Sequence, residues 1–388
     1  MNNFSDKQIS TEVSPLSSGE GQGVRSDSVF HYPKEFALEA GEKLPGFQLK
    51  YTTLGQLNKE RNNVVWICHA LTGSSDFTDW WKQLFTEGPF DPQKYFVVCA
   101  NALGGCYGST GPLSLNPKTD QPYYHQFPSI TNRDIVRAFD ELRRNLGITK
   151  IHTLLGGSLG GQQVLEWAIQ QPDLFDHIIP IATNAYHSPW AIAINEAQRM
   201  AIAADATWKE NDPRAGNEGM KAARAMGMIS FRTYQTYQQM QSEKNADVLD
   251  NFRASSYQRY QGLKLSNRFN AFTYWVLTKA MDSHHVGRGR TSTEAALKMI
   301  KAKTLVIGID TDLLFPIHEQ KYLSEQISGA QLATLTSLHG HDGFLVEFDQ
   351  FKSVVRNFLK REAHETLNKE VANRQKLAVG SPDSYREQ

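Results

Sequence analysis

The chain has 388 residues, with 41 basic and 41 acidic side chains, and 40% of it is hydrophobic. A full core can be buried, and the balanced charge excludes long-range attraction to nucleic acid or to an anionic membrane surface. Three cysteines, Cys68, Cys99 and Cys106, are too few and odd in number for a disulfide framework, which points to reduced thiols and a cytoplasmic setting.

Residues 1–28 are rich in Ser, Gly, Gln and Glu and read as a disordered segment, with no apolar stretch that would make a secretory signal. No segment of the chain approaches a membrane span. Strand-like runs then dominate to about residue 105, consistent with a sheet that opens in antiparallel fashion; NVVWICH, residues 63–69, is one of them. The glycine-rich run Gly104–Gly111 lacks the Gly-Lys-Ser/Thr ending of a phosphate-binding loop and reads as a loop beside a pocket mouth. Cys106 within it is read as a small residue in a tight loop rather than a nucleophile.

The strongest signal lies at Ile151–Gly161, IHTLLGGSLGG. A β-branched, apolar run ends in Gly156-Gly157-Ser158-Leu159-Gly160, and a helix-compatible segment, QQVLEWAIQ, follows at once. Strand, tight turn and helix with a serine at the apex are the context of a nucleophile elbow, which strains the serine and needs neighbours without a Cβ. In the α/β-hydrolase fold, an acid and then a histidine follow such a serine in the chain.

From about Ala185 to Arg290 the texture changes to long helical runs studded with Met, Tyr, Gln and Arg, read as a lid inserted between elbow and acid. Lys303–Ile309 (KTLVIGI) reads as a buried parallel strand, followed by Asp310 and Asp312, with Pro316 opening a helix over about Ile317–Ile327. A strand over Gln331–Thr336 then runs into His339 and His341. Carboxylate and imidazole therefore both fall just past strand C-termini, where the crevice of such a sheet forms. Spacing alone leaves Asp310 and Asp312 equivalent, and His339 and His341 as well. The His284-His285 pair reads as surface or packing, and no cluster has metal-ligand spacing. Beyond Glu362 the tail is polar.

Seven blocks in order, HALTG at His69, NALGGCYGSTGP at Asn101, GGSLGGQQ at Gly156, AARAMGMISFR at Ala222, SYQRYQG at Ser256, DLLFP at Asp312 and GHDGFL at Gly340, resemble the homoserine O-acyltransferase family of the α/β-hydrolase superfamily. The resemblance spans residues from about 30 to 360. It implies an α/β fold with a mostly parallel central sheet flanked by helices: core at 29–184 and 296–362, helical lid at 185–295, polar tail at 363–388. The family's acid falls on Asp312 and its histidine on His341, giving a catalytic triad with Ser158. The resemblance further implies an oxyanion hole from the N–H groups of Leu71 and Leu159, and contacts of Arg224 with a substrate carboxylate and of Asp342 with its amino group. Relatives often carry tyrosine seven residues after that arginine, where this chain has Phe231; the hydroxyl contact is then either missing or supplied elsewhere, with Tyr234 and Tyr237 nearby. The activity implied is ping-pong acyl transfer from an acyl-CoA, acetyl-CoA favoured, to L-homoserine in methionine biosynthesis. No resident cofactor or metal is expected, nor a nucleic-acid or membrane partner; a homodimer through the lid is.

Overall fold

The computed structural model describes residues 25–362, so the expectations for the first 24 residues and for the tail from 363 lie outside the described residues. Eight strands form one sheet: β1 (Arg25–Tyr32), β2 (Phe47–Leu54), β3 (Val64–Cys68), β4 (Phe96–Ala100), β5 (Ile151–Gly157), β6 (Phe175–Ile181), β7 (Lys303–Ile309) and β8 (Gln331–Leu335). Their spatial order is β1-β2-β4-β3-β5-β6-β7-β8. The two outermost pairings on the β1 side are antiparallel and the rest are parallel. This is the mostly parallel α/β-hydrolase sheet the sequence led us to expect.

The first strand begins at Arg25, inside the stretch to residue 28 that the sequence reading had assigned to disorder. Its polar residues are held by pairing rather than burial. Arg25 opposes Leu54 in the ladder with β2, its guanidinium meets Asp76 at 3.1 Å, and Thr52 Oγ1 donates to Asp27 at 2.7 Å. An edge strand needs no apolar run, and composition alone hides it.

Alternation along the central strands divides the core into two layers. Val64, Trp66 and Cys68 of β3 join one apolar cluster, and Val65 and Ile67 join the other. On the first face lie helices α1 (Asn132–Asn145) and α2 (Leu159–Gln170), which bury Ile135, Phe139, Val164 and Trp167. The opposite face is covered by Phe77, Trp81 and Phe85 and by a C-terminal helix that buries Phe351, Val355 and Phe358. Two short helical turns at Phe77–Trp80 and Gln83–Thr86 interrupt the strand-dominated opening.

Between β6 and β7 the chain is helical: α3 (Pro189–Ala203), α4 (Asn217–Phe231), α5 (Tyr234–Gln241), α6 (Arg253–Ser266) and α7 (Ala271–Asp282). Among the described residues, no strand lies in this stretch. Ile202, Met220, Leu265, Phe272 and Leu277 join the same apolar cluster as β3 and α2, so the insertion shares its core with the sheet. Helix α8 (Ile317–Gln326) then follows β7, with Pro316 at its N-cap.

Candidate active site

Ser158 sits between β5 and α2 at φ +58°, ψ −122°, a region L-residues avoid at a cost of order 1–3 kcal/mol. The surroundings impose this geometry. Ser158 N–H donates to Ile181 O at 2.9 Å, and its carbonyl accepts from Thr183 Oγ1 at 3.0 Å. A Cβ at Gly160 would stand 2.1 Å from Cys68 O, so helix and strand meet only because that residue has no side chain. Gly157 similarly leaves room for the ring of Phe344.

Of the two aspartates, Asp312 is the one hydrogen-bonded to His341. Its Oδ2 accepts from His341 Nδ1–H at 2.7 Å, and its Oδ1 accepts from Leu314 N–H at 2.8 Å and Phe315 N–H at 2.9 Å. Asp310 instead accepts from Ser337 N–H at 3.1 Å and braces the turn after β8. The histidines separate in the same way. His339 Nδ1 accepts from Arg232 Nη1 at 3.0 Å, whereas His341 is buried, with its ring stacked on Phe315 at 5.2 Å. Burial works against the His341 cation, yet the charge and hydrogen bond of Asp312, aided by Asp342, outweigh it and raise the pKa above the ordinary histidine value.

Ser158 and His341 line a cavity of about 510 Å³ together with Leu71, Arg224, Phe231 and Asp342. Neither Leu71 nor Leu159 directs its backbone N–H to a protein acceptor among the described residues. That leaves both donors free, Leu71 in the loop after β3 and Leu159 at the elbow, where it is the first residue of α2 and so without an intrahelical acceptor. The loop carrying Leu71 is fixed by His69, whose Nδ1–H donates to Ala70 O at 2.8 Å while Nε2 accepts from Ala102 N–H at 2.9 Å. Burial depresses the His69 pKa, in keeping with a neutral ring whose tautomer is set by those two bonds. The sequence reading placed His69 in a matching block without giving it this task; a polar ring closing an apolar strand was the available signal.

Arg224 is half-buried on α4 with its guanidinium 5.2 Å from the ring centre of Phe231, and it makes no ion pair among the described residues. Burial lowers its pKa, with Tyr274 and Asp342 opposing that loss. Phe231 therefore supplies a cation–π face where a hydroxyl was sought. Tyr234 and Tyr237 are not the substitutes: Tyr234 is exposed and bonded to Gln238, Tyr237 donates to Gln258, and neither lines the cavity. The tyrosine that lines the cavity is Tyr107, its hydroxyl bonded by Arg268, and it comes from the glycine-rich loop expected beside the mouth. Asp342 occupies the N-cap position of the short helix Gly343–Val346 without capping it; its side chain meets Arg232 at 3.1 Å.

Burial pushes the Cys106 thiol up to about 11, which disfavours the thiolate. His284 is a packing residue whose Nε2 meets Asn184 O at 3.1 Å. Among the described residues, no group of three His, Cys, Asp or Glu side chains could hold a metal ion, and no helix is long and apolar enough to cross a membrane.

A serine elbow, a buried His–Asp pair and a sheet of this order define an α/β-hydrolase-fold enzyme, and the sequence profile of the alpha/beta hydrolase fold matches residues 63–348. Homoserine O-acetyltransferase of Cyclobacterium marinum is 51% identical over 334 residues, 86% of this chain and 95% of the relative. That of Chlorobaculum parvum is 44% identical over 341 residues, 87% and 95% of the two chains. The crystal structure of homoserine O-acetyltransferase from Bacillus anthracis superposes with a TM-score of 0.80 at 25% identity, covering 87% of this chain and 98% of that one. The chain belongs to the homoserine O-acetyltransferase family of α/β-hydrolase-fold enzymes.

Proposed function

We propose that the protein transfers an acetyl group from acetyl-CoA to the γ-hydroxyl of L-homoserine through an acyl-Ser158 intermediate. The observation that carries this reading is Arg224, a cation without an ion-pair partner among the described residues, in the same cavity as Ser158 and His341. A general esterase has no use for a charged clamp there; an amino-acid acceptor does. In the first half-reaction His341 Nε2 takes the Ser158 proton as Oγ attacks the thioester carbonyl. The N–H groups of Leu71 and Leu159 hold the resulting oxyanion, whose collapse expels the CoA thiolate with the proton returned through His341. In the second, His341 deprotonates the homoserine hydroxyl, which attacks the acyl-enzyme; collapse of the adduct breaks the bond to Ser158 Oγ, His341 returns the proton to that oxygen, and O-acetyl-homoserine leaves.

Arg224 pairs with the acceptor carboxylate in this scheme, and Asp342, already near a guanidinium, receives its ammonium group. Lys264 and Arg268 also line the cavity and bring positive charge that suits the phosphates of the donor. Helices α3, α4 and α7 contribute Asn195, Arg224 and Met281 to the wall, supporting a lid that keeps water from the acyl-enzyme. Met226, Ile229, Met240, Phe252 and Leu263 leave apolar surface exposed on this insertion, the face we assign to a homodimer. A cytoplasmic enzyme of methionine biosynthesis accommodates both substrates and the three free thiols.

An acyl-CoA panel with homoserine and serine, followed by free-thiol release, tests the reading. Acetyl-CoA with homoserine should give the fastest sustained release, and donor without acceptor only a single turnover. Sustained release without acceptor would make the protein a hydrolase; preference for succinyl-CoA or for serine would reassign donor or acceptor.

A further inference from the structure

The wall of the Ser158 cavity holds a polar side chain to which the transfer scheme gives no task. Gln198, on α3, is 1% exposed and lines that cavity together with Ser158, Arg224 and His341. It lies against the face of α4 that carries Arg224. Gly227 is on that same face, three residues after Arg224. A Cβ built there would stand 3.2 Å from the ring of Phe231 and 3.6 Å from Gln198 Oε1, and the Arg224 guanidinium sits over that ring.

The orientation of the carboxamide is set from behind the cavity wall. Tyr274 of α7 is buried, and its hydroxyl donates to Gln198 Oε1. Burial pushes the Tyr274 pKa up to about 12 against the opposing charges of Arg224 and Arg199, so the hydroxyl keeps its proton. That hydroxyl has no other hydrogen-bond partner among the described residues, so its proton goes to the amide oxygen and the amide nitrogen is turned away from it. Gln198 Nε2 donates to nothing among the described residues, and unlike Nη1 of neighbouring Arg199 it is not sealed off from the cavity. A donor held in this way calls for an acceptor that the protein itself does not supply. Arg224 sets the sign of that acceptor. Burial weakens the Arg224 charge while Tyr274 and Asp342 support it, and a carboxylate drawn to it has lone pairs for both donors.

We propose that Gln198 is a specificity-determining residue of the acceptor site: its Nε2 donates to the homoserine carboxylate alongside Arg224, and Tyr274 is a positioning residue that holds the carboxamide in that orientation. On the transferase reading, on which this rests, Gln198 acts only in the second half-reaction. Rapid-quench measurement of the CoA burst from acetyl-CoA alone, and of deacylation by added homoserine, separates the two halves in the full-length protein. Gln198→Ala should give a burst of near wild-type rate and amplitude, and raise the half-saturating homoserine concentration by about tenfold to a hundredfold, the usual worth of a hydrogen bond to a charged group. Gln198→Glu keeps an oxygen for Tyr274, and so the local packing, but replaces the nitrogen donor with a carboxylate oxygen; at pH 8 it should lose at least as much. Tyr274→Phe should raise the same concentration several-fold in the wild-type background and leave it unchanged in the Gln198→Ala background. Equal losses in the two backgrounds would reduce Tyr274 to packing and overturn its part in the proposal. An unchanged homoserine requirement in Gln198→Glu with a normal burst would overturn the assignment of Gln198, and so would acylation slowed as much as deacylation. Failure of the wild-type acyl-enzyme to pass its acetyl group to homoserine would instead overturn the transferase reading, and the role of Gln198 with it.

Discussion

A two-residue difference in position separates Asp312 from Asp310, and it determines which carboxylate reaches His341. Asp312 is buried, with one oxygen held by two backbone N–H groups and the other by the imidazole, whereas Asp310 braces a turn. Asp312→Asn should therefore lower turnover by about four powers of ten, because an amide presents the wrong tautomer to the ring; Asp310→Asn should change it far less, and steady-state kinetics of the two variants decides between them. The same pair sets the pH dependence. A His341 pKa raised by Asp312 means that the neutral, proton-accepting ring is lost as pH falls through a value above the ordinary 6.5. The acylation rate should fall on the acid side with that midpoint, and residual activity of Asp312→Asn should titrate at lower pH. Arg224 adds a third test. Arg224→Ala should leave acyl-enzyme formation near normal and raise the homoserine concentration needed for deacylation by tenfold or more, and Lys should not restore it, having no planar fork. Stopped-flow measurement of the two half-reactions shows the split; equal slowing of both would assign Arg224 to the donor or to the lid.

At the scale of elements, the elbow depends on absences of side chains as much as on the serine. Gly160→Ala would push a Cβ to within 2.1 Å of the backbone carbonyl of Cys68, which cannot give way as a flexible side chain would, so α2 must shift away from β3. We expect a loss of stability of about 1–3 kcal/mol, with activity lost by more than the folded fraction explains, since the shift moves Ser158 and Leu159 together. Parallel thermal melts and active-site titration with an acylating reagent separate these effects. Elements of this kind were legible in the sequence because their signals are local. The β7 run KTLVIGI matches its strand residue for residue, and α8 ends one residue before its expected limit. Two kinds of feature were not legible. Edge strand β1 reads as polar because it is stabilised by ladder pairing and an Arg25–Asp76 contact 51 residues apart. Arg224 faces the ring of Phe231, and Tyr107 reaches the cavity wall from a loop more than 100 residues earlier in the chain. Such pairings depend on how distant segments meet, which neither period nor propensity encodes.

Across the whole molecule, elements distant in the chain meet through buried polar side chains as well as apolar ones. Asn132 donates to Gln162, Gln162 to Asn184, and Asn184 to Glu319 at 3.0 Å, linking α1, α2, the loop after β6 and α8. Glu319 is the strained member of this chain. Burial is the largest influence on it and the charge of Asp312 adds to it, so that its pKa is raised to about 7 from an ordinary 4.5, despite the hydrogen bond from Asn184. The sign of the consequence follows from linkage: between those two values the unfolded chain releases the proton and the folded protein keeps it, so stability is fully present below about 4.5 and is lost as pH rises through about 7. Gln at this position resembles the protonated acid and cannot ionise. Glu319→Gln should therefore match the wild type at pH 4.5 and exceed it at pH 8 by about 2 kcal/mol, the shift discounted for partial exposure. Other titrating groups cancel in the difference between the two proteins, which makes paired denaturant melts across this range a clean readout. A difference that stays flat with pH would show that Glu319 ionises freely in the folded state and that the polar chain ending at Glu319 is more hydrated than its burial implies.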